Sequence, residues 1–247
     1  MKKIFWILIL LNSWGLLAQE PSQKPLEIEG FKSWNRLSNP VLSDNGEVVA
    51  FQKNPQKGDG MLMVWRDGET NAIPRGKNPS VGSQNDFVVF EIAQPEDTIR
   101  EAKKKKVKKD KMPKDSLGIW VFGTEDIYKY PDLKSYKLPE NDGRWVAFLT
   151  TYGEQKEDSA SVEVKTEKKE STGDNLVLFD VDSGDTLVYR NVTEYYYSKD
   201  GAAVYYVIQH EDSVKTTSRV YAFDTSAGES KRSEEHTSEL QSPLCIS

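Results

Sequence analysis

Hydrolysis by an activated serine needs a nucleophile, a base and a turn that presents them. A nucleophile elbow would read Gly-x-Ser-x-Gly, and the sequence contains none. Ser83 follows Gly82 but has Val81 before it and Asn85 after it, and Ser183 precedes Gly184 in a hairpin-type turn. Two histidines are available, His210 and His236. His210 ends an apolar run, beside Glu211 and Asp212, and reads as a surface histidine at a strand end. Zinc needs clustered histidines and thiolates, which one usable histidine and the single Cys245 do not supply. Asp180, Asp182 and Asp185 imitate a calcium loop, but the twelve-residue pattern with its closing glutamate is missing. No glycine loop suited to phosphate is present. Asn191-Val192-Thr193 is a glycosylation sequon of consequence only in a eukaryotic secretory pathway. The expectation is a stretch with no catalytic, cofactor-binding or metal-binding residue and no cofactor.

The elements around these residues repeat. A polar turn containing Asn, Asp or Gly, followed by an alternating apolar run, occurs four times: at residues 40–51, 79–90, 138–148 and 196–206. Asn, Asp and Gly tolerate the positive φ that tight hairpins demand. A second hairpin follows in most copies, with turns at Arg66-Asp67-Gly68, Asp182-Ser183-Gly184 and Ser226-Ala227-Gly228. Two hairpins make a four-stranded meander. Equivalent turn positions, Gly46, Asn85, Gly143 and Gly201, are 39, 58 and 58 residues apart. Each long interval holds a charged insert of about 20 residues, near 96–116 and 153–173; without them the period is about 40, the length of a β-propeller blade. The fold class expected is therefore all-β: a partial β-propeller of about four four-stranded blades, spanning 19–231. Its last blade is expected to be incomplete, because the fourth strand would begin at 229–231. Tyr195, Tyr196 and Tyr197 alternate across one strand, so at least one faces the core and the others face a channel.

The first insert contains Lys103 to Lys106, Lys108 and Lys109 in a helix-favouring stretch. A lysine run suits a phosphate-rich partner, but no aromatics are interleaved and acids flank it, so a solvated extension is the reading. The second insert alternates Glu and Lys and reads as a loop. Over its 247 residues the chain is 37% hydrophobic and 29% charged, with net charge −6. That balance excludes collagen, a coiled coil, a disulfide scaffold and a multi-span membrane protein, and argues against general nucleic-acid binding.

Neither end reads as part of the fold. Lys2 and Lys3, the apolar run 4–11 and Leu16-Leu17-Ala18 before Gln19 form a secretory signal-peptide pattern over 1–18. The product is expected to be periplasmic or secreted, with no stable membrane span after cleavage. At the other end, residues 232–242 are those encoded, in order, by a sequencing-adapter string, so 232–247 is expected to be an artefact.

Gly30-Phe31-Lys32-Ser33-Trp34, the repeat Leu42-Ser43-Asp44-Asn45-Gly46 and the segment Lys111-Met112-Pro113-Lys114-Asp115-Ser116-Leu117-Gly118 together carry a resemblance. Residues 25–231 resemble, loosely, the N-terminal propeller of secreted bacterial prolyl oligopeptidase-family serine peptidases. The resemblance implies a propeller that caps a C-terminal α/β-hydrolase domain, admits short peptides and excludes folded proteins. It also implies that the triad lies in that second domain, so no catalytic residue carries over and the chain as written is inactive. The partners implied are the missing hydrolase domain and the parent's peptide substrates. The alternative is a non-enzymatic secreted propeller that binds a partner in the cell envelope.

Overall fold

The computed structural model describes residues 28–124, 126–141, 143–151, 173–212 and 215–233. The signal-peptide pattern, most of the second insert, His236 and Cys245 lie outside them. Met1–Trp34 and Asn35–Ser247 are separate compact units. Within the first, Ile28–Ser33 forms a 3-10 turn, and the Phe31 and Trp34 rings meet edge to face at 4.7 Å.

The second unit is built from antiparallel strands. Strands β1 (Asn35–Leu42), β2 (Val48–Pro55), β3 (Met61–Arg66) and β4 (Glu69–Pro74) pair in chain order. Strands β5 (Gly76–Val81), β6 (Phe87–Ile92), β7 (Ser116–Val121) and β8 (Tyr128–Tyr130) do the same. The remaining strands form one sheet of seven, again in chain order. They are β9 (Leu133–Lys137), β10 (Trp145–Thr150), β11 (Asp174–Asp180), β12 (Thr186–Tyr197), β13 (Ala203–Asp212), β14 (Lys215–Asp224) and β15 (Glu229–Arg232). Among the described residues no sheet closes on itself. The sequence reading expects the outermost strand to be missing from the last repeat. The structure places a strand of four residues there, against a ten-residue neighbour.

The turns form for the reason the sequence suggests. Asn85, Gly46 and Gly201 take φ of 59°, 75° and 73°. In two of these hairpins a serine closes the turn twice. The Ser43 and Ser198 amides donate to the carbonyls of Val48 and Ala203, at 2.9 and 2.8 Å. The amides of Val48 and Ala203 donate back to the two hydroxyls at 2.9 and 2.8 Å.

Alternation decides how the sheets stack. All six residues of β10 are buried. Trp145, Ala147 and Leu149 point to one cluster, with Leu176, Leu178, Tyr195, Tyr206 and Phe223. Val146 and Phe148 point to another, with Phe87, Val89, Leu117 and Ile119 of the preceding sheet. Val88 and Phe90 of β6 point the other way again, onto Val48, Ala50, Leu62 and Val64. Side chains two residues apart share a face of a strand, so a fully apolar strand must be covered on both sides. The second sheet and β9–β11 are sandwiched in this way. One apolar cluster thus lies between the first and second sheets and one between the second and the seven-stranded sheet, while the third is enclosed by strands of the seven-stranded sheet itself.

Because successive strands reverse direction, connections fall at two ends. One end has tight turns, such as Asp44-Asn45-Gly46 and Asp67-Gly68. The other has the sheet-to-sheet crossovers and the first insert. The crossovers are short and left-handed in φ: Arg75 (61°) joins β4 to β5, Asp132 (55°) precedes β9, and Asn191 (61°) bends β12. The first insert contains helix α1 (Glu96–Lys104).

Candidate functional site

The first strand of each repeat lies beside its counterpart. The Asn39 amide donates to Asn78 Oδ1 at 3.0 Å, 39 residues away in sequence. Tyr136 donates its hydroxyl to the Asn78 carbonyl at 2.9 Å, a separation of 58. Lys137 Nζ donates to the Tyr195 carbonyl at 2.6 Å, again a separation of 58. At the turn end, Asn141 donates to the Lys199 carbonyl at 3.2 Å, also 58 residues away. These contacts have the same periods as the repeats in the sequence, so they join equivalent positions of neighbouring repeats.

Asn39 and Asn78 are held in place by local geometry. Each sits at a bulge in its strand with φ near 50°. Bulges re-aim side chains, and here they aim two amides along the row of first strands. Asn78 Nδ2 donates to Glu91 Oε1 at 3.1 Å. Glu91 and Asp115 in turn hold the Lys77 ammonium, at 3.2 and 2.7 Å. Burial works against that ammonium, but the hydrogen bonds and charges of Asp115 and Glu91 outweigh it and raise its pKa above 10.5. The other Asp115 oxygen accepts the Gln94 amide at 3.0 Å.

This network walls a cavity of about 700 Å³ at the crossover end, where β5, β6, β9 and the first insert meet. Lys77, Glu91, Asp115, Lys114, Lys134 and Tyr136 line it. Lys114 Nζ donates to Thr151 at 3.1 Å and Lys134 Nζ to Asp174 at 2.5 Å. Each of these charged groups is held by another protein group. The wall is therefore polar, pre-organised and suited to binding or guiding a polar chain.

The residues singled out from sequence have structural duties. Ser183 accepts the Asp185 amide at 3.2 Å inside a hairpin turn. Ser83 is at the β5–β6 turn, and its hydroxyl is buried without a partner among the described residues. Asp180 accepts the Asp182 amide at 3.1 Å, and both carboxylates face Arg144, at 3.5 and 3.7 Å. Among the described residues no three acids, histidines or cysteines cluster in a way that suits a metal ion. His210 lies in β13 opposite Thr217; its side chain is outside the described residues. Tyr195 is in the core, bonded to Ser135 at 3.2 Å, and burial pushes its hydroxyl up to about 12. Tyr197 donates to the Trp145 carbonyl at 2.7 Å, while Tyr196 is exposed.

The Lys77–Glu91–Asp115 network was not visible in the sequence. Its members are 14 to 38 positions apart, and nothing in their spacing joins them. The one available signal was the 39-residue separation of Asn39 and Asn78.

No family model matches the chain, and no curated protein matches it. Solved structures do. The β-propeller domain of the trilobed protease from Pyrococcus furiosus is 13% identical, with a TM-score of 0.44. That match covers 82% of this chain and 58% of the other. The uncomplexed acylaminoacyl peptidase of Pyrococcus horikoshii is 13% identical over 83% of this chain and 33% of its own, with a TM-score of 0.42. The tricorn protease is 13% identical over 81% of this chain and 17% of its own, with a TM-score of 0.40. The chain thus spans less than two thirds of the length of each.

Proposed function

We propose that this chain is the N-terminal, substrate-gating part of a propeller belonging to a secreted prolyl oligopeptidase-like serine peptidase. On this reading the seven-stranded sheet is two blades that share β12. Its residues before Asn191 are the outer strand of the third blade, and those after it are the inner strand of the fourth. The chain then holds four blades, with β15 a foreshortened last strand, and the catalytic α/β-hydrolase domain belongs to the remainder of the parent. The isolated chain is inactive, residues 1–18 direct secretion, and 232–247 are foreign to the protein.

The observation that carries the reading is the repeat-spaced row of contacts between first strands. A stack of sheets joined at one edge by equivalent residues is how a propeller builds the wall of a central channel. The polar cavity at the crossover end lies on that wall. The peptidase assignment adds the resemblance carried by residues 30–34, 42–46 and 111–118.

The test is hydrolysis of prolyl and alanyl chromogenic dipeptides by the natural full-length product and by the 247-residue chain. The reading predicts turnover by the first and none by the second. An inactive full-length product, across a broad panel of such substrates, would overturn it.

A further inference from the structure

The first insert differs from a solvated extension in one respect: it is fastened down. The Glu96 amide donates to Asp59 at 2.8 Å, and Glu96 accepts the Gly58 amide at 2.6 Å, so α1 is tied to a loop of the preceding sheet. Gln94 closes the base of the insert, donating its side-chain amide to the Lys114 carbonyl at 2.6 Å and its backbone amide to Asp115. Ala102 is buried, and its carbonyl accepts the Val107 amide at 3.0 Å just beyond the helix.

This clamped platform displays charge. Residues 96–115 carry nine basic and five acidic side chains, in a chain whose net charge is −6. Lys103, Lys104, Lys105, Lys106, Lys108 and Lys109 are all exposed. None of the six forms an ion pair among the described residues. Like charges crowded on an ordered segment repel one another, and that cost is recovered when an opposite charge arrives. The platform stands at the crossover end, where β1 begins, β15 ends and the large cavity opens.

We propose that the insert is an electrostatic docking arm for an acidic protein surface that covers the crossover end. This rests on the reading that a further domain of the parent caps the sheets. An acidic protein face fits better than nucleic acid. The insert has no aromatic side chain on which a base can stack.

The test uses the 247-residue chain and three probes: poly-L-glutamate, a single-stranded oligonucleotide, and phosphatidylglycerol vesicles. Binding to polyglutamate is expected at low salt and lost near about 0.5 M salt, where the screening length falls to a few ångströms. The variant with Lys104, Lys105, Lys108 and Lys109 all changed to Gln should bind polyglutamate at least tenfold more weakly, with an unchanged circular-dichroism spectrum. Changing Lys199, at the opposite, tight-turn end, to Gln should leave binding as it was. Equal binding by the fourfold variant, or tighter binding of oligonucleotide or vesicles than of polyglutamate, would overturn the proposal. A parent gene without a hydrolase domain would remove the capping reading and leave polyglutamate binding intact, so the two failures are distinguishable.

Discussion

Phe148→Ala tests whether the sheets are joined face to face by their alternate residues. Phe148 is fully buried in β10, opposite Tyr136 on one neighbour and Val177 on the other. Its ring lies 4.7 Å from that of Tyr130, and it belongs to the cluster shared with Phe87, Val89, Leu117 and Ile119. Removing the ring forfeits about 2–3 kcal/mol of apolar burial. It also loses an aromatic pair, about 0.5–1.5 kcal/mol, and leaves a cavity that a two-sided core cannot collapse around. The sum is about 3–5 kcal/mol, a large fraction of the 5–15 kcal/mol typical of a folded domain. Urea unfolding followed by fluorescence should show a lower midpoint with unchanged slope, since the surface exposed on unfolding is nearly the same. The partner measurement is Tyr205→Ala. Tyr205 lies in β13 of the same sheet but faces outward and is 46% exposed, so its loss should cost under about 1 kcal/mol. Similar effects for both residues would refute the assignment of faces.

Three further outcomes follow from local chemistry. Among the described residues one buried carboxylate oxygen of Asp86 has no hydrogen-bond partner, and burial, with Asp182 nearby, raises its pKa above 3.8. A raised acid stabilises the fold when protonated and loses that contribution as pH rises through the folded value. Asp86→Asn should therefore raise the urea midpoint at pH 7, with the gain shrinking toward pH 3; a loss at pH 7 would contradict this. Lys77 is raised above 10.5, so its contribution is complete below that pH and fades as pH climbs through the higher folded value. The stability difference between the natural chain and Lys77→Gln should be constant from pH 8 to about 10 and close at higher pH; a difference that does not narrow there counts against the ion cluster. Gly118 faces the Phe90 ring so closely that an added Cβ would overlap it. Gly118→Ala should cost about 1–3 kcal/mol through forced repacking, read as a lowered melting temperature; a neutral result would place Phe90 elsewhere.

The hairpin turns were legible because their chemistry is local: Gly46, Gly68, Gly184, Gly201 and Gly228 all have positive φ. The alternating apolar runs after those turns gave the strands, and the helix-favouring insert gave α1. The crossovers were not legible. Arg75 and Asp132 adopt left-handed φ although neither residue announces it, and Asn191 reads as a sequon while it bends a strand. What places them is the packing of whole sheets. The same is true of β10, whose Trp-Val-Ala-Phe-Leu-Thr run reveals burial but not that it feeds two separate cores. The polar cavity depends on Lys77, Glu91 and Asp115 meeting across three strands, and only the fold brings them together.

The most direct test of the account is the genomic DNA sequence across codon 231 from an independent library. The account predicts a frame that continues without the adapter-like codons, through further blades, to a Gly-x-Ser-x-Gly turn in a hydrolase domain. Codons for Arg232 to Ser247 followed by a stop would contradict it, and the four-repeat chain would then stand as a protein in its own right.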